Sequence, residues 1–131
     1  MNHEWVSVDF ASNSAVPVLP YTGLPLTLRS PVPAKPATDG PQLDQAAISA
    51  LQKMMREVVT NGTGTALRKV PGKPVYGKTG TAEFDEKTKD THSWFIGYQG
   101  DVAFAAMVQK GGAGSEAAVP VVNRFLTALN K

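Results

Sequence analysis

The chain has 131 residues, 42% of them hydrophobic and 18% charged, with a net charge of +2 at pH 7; that is room for one modest core. No basic run is interleaved with aromatics, which sets nucleic acid aside, and the absence of cysteine excludes disulfides and thiolate metal sites. No apolar run reaches membrane-spanning length and no basic-then-apolar leader opens the sequence, so no membrane segment, signal or anchor is expected in these residues.

Residues 1–41 differ from the rest. Seven of the ten prolines (Pro17, Pro20, Pro25, Pro31, Pro33, Pro36 and Pro41) fall here, so neither a helix nor a central strand fits their stretch. A short strand is expected at 6–10, and the remainder reads as a proline-rich extended segment or linker. The organised unit is expected over 42–131.

That unit opens with a helix. Leu43, Ala46, Ala47, Ala50, Leu51, Met54, Met55 and Val58 recur at the spacing of one apolar helical face. Asp39-Gly40-Pro41-Gln42 offers a cap and a first-turn proline, and Asn61-Gly62 tolerates the left-handed position that ends many helices. Met54 and Met55 are expected in the core. Thr63-Gly64-Thr65 follows as a flexible connector, with a place near a ligand as the alternative.

Val75-Tyr76-Gly77-Lys78-Thr79-Gly80-Thr81 comes next: two β-formers, then a lysine and two threonines between glycines. Glycine lets a ligand approach the backbone, lysine supplies a point charge and threonine hydroxyls donate hydrogen bonds. No acidic residue lies between Glu57 and Glu83, whereas Arg68, Lys69, Lys73 and Lys78 do, a balance that favours an anionic ligand. The mixed charges of 84–91 read as a solvated loop. Residues 94–98 and 102–109 are strand-like and flank a glycine turn, which predicts a hairpin. Both alternating sets of the second strand are apolar, so cover is expected on both faces of the sheet. Ser115 is a natural cap for a last helix carrying Ala118, Val121, Val122, Phe125, Leu126 and Leu129, and Pro120 kinks that helix or delays its start. The fold expected is an α/β chain of the α+β type: a short antiparallel sheet with an N-terminal and a C-terminal helix packed on it.

Two motifs compete for one stretch. Residues 72–79 match the phosphate-loop pattern G-x-x-x-x-G-K-T, but that mechanism needs a core strand before the loop and a helix after it. Leu67-Arg68-Lys69-Val70-Pro71 is a poor strand and Gly80-Thr81 is poor helix material. The competing reading takes Lys78-Thr79-Gly80 as the K-T-G motif of serine penicillin-recognising enzymes. With Thr81-Ala82-Glu83, the charged loop, His92-Ser93-Trp94-Phe95-Ile96-Gly97-Tyr98, the Gly62-Thr63-Gly64-Thr65-Ala66 loop and Gly111-Gly112-Ala113-Gly114, residues 42–131 closely resemble the C-terminal part of penicillin-binding protein transpeptidase domains.

The resemblance implies a partial transpeptidase/β-lactamase-like fold and acyl transfer on a D-alanyl-D-alanine stem peptide, with β-lactams as mimics. It implies positive potential and proton traffic from Lys78, carboxylate binding by the hydroxyls of Thr79 and Thr81, an oxyanion donor in the Thr81 backbone N–H, and a surface kept clear by Gly80. Trp94 and Phe95 would pack, and His92 would have no catalytic role. No metal or cofactor is implied, and the place of action would be the extracytoplasmic face of a bacterial membrane. The family also needs a Ser-x-x-Lys nucleophile and a Ser-x-Asn motif, and none of Ser7, Ser12, Ser14, Ser30, Ser49, Ser93 and Ser115 has lysine three residues on or asparagine two residues on. The chain alone is therefore expected to be inactive, and its partner would be a nucleophile-bearing transpeptidase fragment or a second copy of itself. The alternatives are a non-catalytic module that binds the stem peptide or a partner, and, more remotely, a phosphate-loop nucleotide-binding protein.

Overall fold

The computed structural model describes residues 6–12, 26–28, 43–83 and 89–131. Among these residues five strands and two helices run in the order β1 (Val6–Ser12), β2 (Leu26–Leu28), α1 (Gln45–Thr60), β3 (Val75–Glu83), β4 (Thr91–Gln99), β5 (Val102–Val108) and α2 (Ala118–Leu129), with one 3-10 turn at Thr65–Leu67. The sheet order is β2-β1-β5-β4-β3. β3, β4 and β5 form the expected antiparallel meander, in register from Val75↔Gln99 to Glu83↔Thr91 and from Gln99↔Val102 to Ser93↔Val108. Gly100 turns the β4–β5 hairpin with φ +61, the sign a two-residue hairpin loop requires at its first position.

The strand expected at 6–10 extends to Ser12 and pairs antiparallel with β5 along its length, while β2 joins parallel outside it. Expectations for the other residues of 1–42, and for most of the charged loop, 84–88, lie outside the described residues.

Alternation along the strands creates two unlike faces. One carries Thr79, Phe95, Phe104, Ala106 and Val108, all buried, and packs against Ala118, Val119, Val122 and Leu126 of α2 together with Leu67 and Val59. Phe95 is 0% exposed; burying such a side chain stabilises by roughly 1.5–3 kcal/mol. The other face carries Lys78, Ile96 and Trp94, with Ile96 52% and Trp94 36% exposed. The second face is thus covered only at one end, where α1 brings Arg56 and Gln52 onto Tyr76 and Tyr98. Trp94 and Phe95 part company for the same reason, since neighbours on a strand point to opposite faces.

The first helix also departs from expectation. Its cap is Asp44, whose carboxylate accepts from the Ala46 N–H at 3.0 Å. Asn61 closes it with φ −132, and Gly62 is not left-handed either. Of the expected apolar face, Leu43, Leu51 and Met54 are exposed, and the fully buried residue is Val59. The periodicity was real, but no packed partner covers that stripe among the described residues, so Met54 is not core. α2 starts at Ala118, with Pro120 inside its first turn, where a missing N–H costs no helical bond. Ser115 does not cap it. Ser93, from β4 and fully buried, accepts from the Ala118 N–H at 2.9 Å and donates to the Ala113 carbonyl at 2.9 Å.

A second polar tie fixes the approach to β3. Gln99 donates to the carbonyls of Pro71 at 2.8 Å and Lys73 at 2.7 Å, and its side-chain carbonyl accepts from Asn130, the C-cap of α2, at 2.8 Å.

Candidate active-site wall on the edge strand

β3 is an edge strand of the sheet, and residues 78–81 lie in its middle. The pleat separates them. Thr79 and Thr81 share the covered face, Lys78 and Gly80 the open one. Thr79 is 8% exposed, whereas Lys78 and Thr81 are exposed at the surface. The Lys78 ammonium donates to the Thr79 carbonyl at 2.7 Å. A phosphate loop is therefore ruled out at this stretch: Gly77-Lys78-Thr79 run through a strand, and among the described residues no helix N-terminus follows directly to hold a phosphate.

Two loops reach this strand. Thr63, just beyond α1, places its hydroxyl 2.5 Å from that of Thr79, so the segment expected to be a mere connector touches the motif. The 111–114 turn arrives on the covered face, where the Gly114 N–H donates to the Thr81 hydroxyl at 3.3 Å. A Cβ at Gly114 would lie 2.6 Å from the Gly80 carbonyl oxygen and 2.7 Å from that of Trp94, so only glycine allows this approach. At Gly80 an added Cβ would meet Trp94 Cβ alone, at 3.3 Å. Packing constrains Gly80 far less than Gly114.

The basic residues do not gather as the sequence suggested. Arg68 donates to the Thr60 carbonyl and the Lys73 side chain lies beside the Gly100 turn, at the other end of β3. Arg56, which the sequence reading did not single out, donates to the Val75 carbonyl at 2.8 Å and lies 5.9 Å from the Tyr76 ring centre. Tyr76 in turn stacks on Tyr98 at 4.8 Å. Burial, reinforced by Tyr76 and opposed by Gln52, raises the Tyr98 pKa above its ordinary value. His92 accepts from the Lys110 N–H at 3.3 Å, and Lys110 pairs with Asp90 at 2.8 Å. These contacts tie the end of β4 to the β5 exit. Among the described residues no group of three histidine, cysteine or acidic side chains could hold a metal, and no helix is long and apolar enough to cross a membrane.

A family model of the penicillin-binding protein transpeptidase domain matches residues 33–127. The chain belongs to that family. Among solved transpeptidase structures it is similar to Pseudomonas aeruginosa PBP2 in complex with WCK 5153, at 29% identity and a TM-score of 0.58, covering 76% of this chain and 23% of that one. It is similar to the transpeptidase domain of the FtsI4 D,D-transpeptidase of Legionella pneumophila, at 27% identity and a TM-score of 0.58, covering 66% of this chain and 37% of that one. It also matches a peptidoglycan synthase complex that coordinates polymerization and crosslinking, at 28% identity and a TM-score of 0.58, covering 77% and 18%. No curated protein matches the sequence. This transpeptidase-family chain thus spans well under half the length of the solved relatives it resembles.

Proposed function

We propose that residues 42–131 form the substrate-binding wall of a D,D-transpeptidase that crosslinks peptidoglycan and binds penicillin, with the nucleophile supplied by polypeptide outside these 131 residues. The observation that carries this reading is the placement of Lys78-Thr79-Gly80-Thr81 on an exposed edge strand inside a transpeptidase-family match. Thr79 and Thr81 hold the terminal carboxylate of the stem peptide or of a β-lactam, and Lys78 supplies charge at the mouth. The Thr81 backbone N–H serves as an oxyanion donor held rigidly by the strand. The peptide lies along β3 as an added strand, beside the bare surface of Gly80. β1 and β2 extend the sheet on the side away from β3. The work is done at the extracytoplasmic face of a bacterial membrane, as in penicillin-binding transpeptidases generally.

The exposed apolar surface supports a covalently separate or distant second half. Leu51 and Met54 of α1, with Ile96 and Trp94 of β4, are the surface on which a nucleophile-bearing segment, or failing that a second copy, would seat. A labelled penicillin tests the reading. The chain alone should form no adduct, a segment with Ser-x-x-Lys added to it should be labelled, and Lys78→Ala should cut that labelling strongly. An adduct on the chain alone would overturn the supplied-nucleophile reading. Binding of stem peptide with no labelling under any addition would favour a non-catalytic module.

A further inference from the structure

We infer that Thr63 is a third hydroxyl of the carboxylate site, standing in front of Thr79 and touching the ligand; this rests on the carboxylate reading of the edge strand. Thr79 is 8% exposed, whereas Thr63, whose hydroxyl lies 2.5 Å from it, is exposed. A ligand arriving from solvent meets Thr63 first.

Proton counting makes the pair suited to an anion. Each hydroxyl has one proton and two acceptor lone pairs. One of the two protons is spent in the Thr63–Thr79 bond whichever oxygen donates, and the other is left for an acceptor outside. A carboxylate only accepts, so it takes that proton. Thr81 is prepared in the same way: the Gly114 N–H donates to its oxygen at 3.3 Å, which leaves its own proton to point outward. The two threonines of the strand are spaced by one pleat repeat, roughly 6.5 Å, and each shares a hydrogen bond with a group from another loop.

Thr63 is also held in place. The Gly62 N–H donates to the Glu57 and Val58 carbonyls at 3.1 and 3.2 Å, and the Gly64 N–H donates to the Val58 carbonyl at 2.9 Å. Both neighbours of Thr63 are thereby tied to the last turn of α1, so little ordering remains to be done when a ligand binds.

The test compares two probes on the intact chain by amide chemical shifts of Thr81 and Gly114: N-acetyl-D-alanyl-D-alanine and its C-terminal amide. Wild type should prefer the acid. Thr63→Val keeps the shape but puts a methyl where the hydroxyl was, and should weaken acid binding roughly five- to tenfold with amide binding unchanged. Thr63→Ser should bind the acid within about twofold of wild type. A Thr63→Val chain that keeps the wild-type preference, or loses both probes equally, overturns the role of Thr63 and leaves the carboxylate reading standing. A wild type that does not prefer the acid overturns the carboxylate reading, and the role of Thr63 with it.

Discussion

The two helices have similar sequence patterns and opposite fates. α2 seats Ala118, Val119, Val122 and Leu126 in the core at 1% exposure or less, while α1 leaves Leu51 and Met54 more than half exposed and buries only Val59. The sheet repeats the contrast, with Phe95 at 0% on one face and Ile96 at 52% on the other. An apolar stripe reports a need for cover, and the cover need not come from the same stretch of chain. In a family whose solved members extend well beyond the span matched here, the uncovered half is where we propose that a nucleophile-bearing segment seats.

The contrast can be broken most directly in the core. Phe95→Ala should cost about 3–5 kcal/mol and Leu126→Ala about 2–5 kcal/mol in urea unfolding, because each leaves a cavity between sheet and α2. A loss below about 1 kcal/mol at either would mean that the covered face is not packed as described. Ser93→Ala should cost about 1–3 kcal/mol, since it strands both the Ala118 N–H and the Ala113 carbonyl. Gly114→Ala should cost a similar ~1–3 kcal/mol, and the Thr81 amide shift should move with it as the turn is pushed off β3.

On the uncovered side the effects should be small in the chain itself. Leu51→Ser and Met54→Ser are each expected within ~0.5 kcal/mol of wild type, yet together they should lower penicillin labelling once the nucleophile-bearing segment is added. Unfolding by the pair would show that α1 is covered after all. The smallest effect is at Tyr98. Its folded pKa is raised above 10.0, so its contribution is complete below pH 10 and is lost as pH climbs through the folded value. Tyr98→Phe should therefore flatten the decline in stability above pH 10, and an unchanged alkaline limb would remove this tyrosine as a cause.

Much of this was legible in the residues. The 3.6-residue spacing located both helices, the glycine turn located the β4–β5 hairpin, and the neighbours of Lys78-Thr79-Gly80-Thr81 mark that stretch as the candidate site. What could not be read were contacts between distant segments. Period gives a helix its apolar face but does not say what lies opposite, so Met54 was misplaced. Caps are read locally, so Ser115 and Asp39 stood in for Ser93 and Asp44. Thr63 and Gly114 are separated from their partners by 16 and 33 positions, and no local rule links them. Ser93 could have been suspected from its polar character within an apolar strand whose alternation turns it inward.

That serine has a consequence for the order of assembly. α2 carries no cap of its own and must wait for a hydroxyl that reaches its place only when β4 is paired and the 113–117 turn is closed. Nucleating a helix is costly without such help, so α2 should form late, after the meander. In a chain made from its N-terminus, α2 leaves the ribosome after the meander and would then act as the latch that registers a finished sheet. Amide exchange during refolding should show β4 protected before residues 118–129.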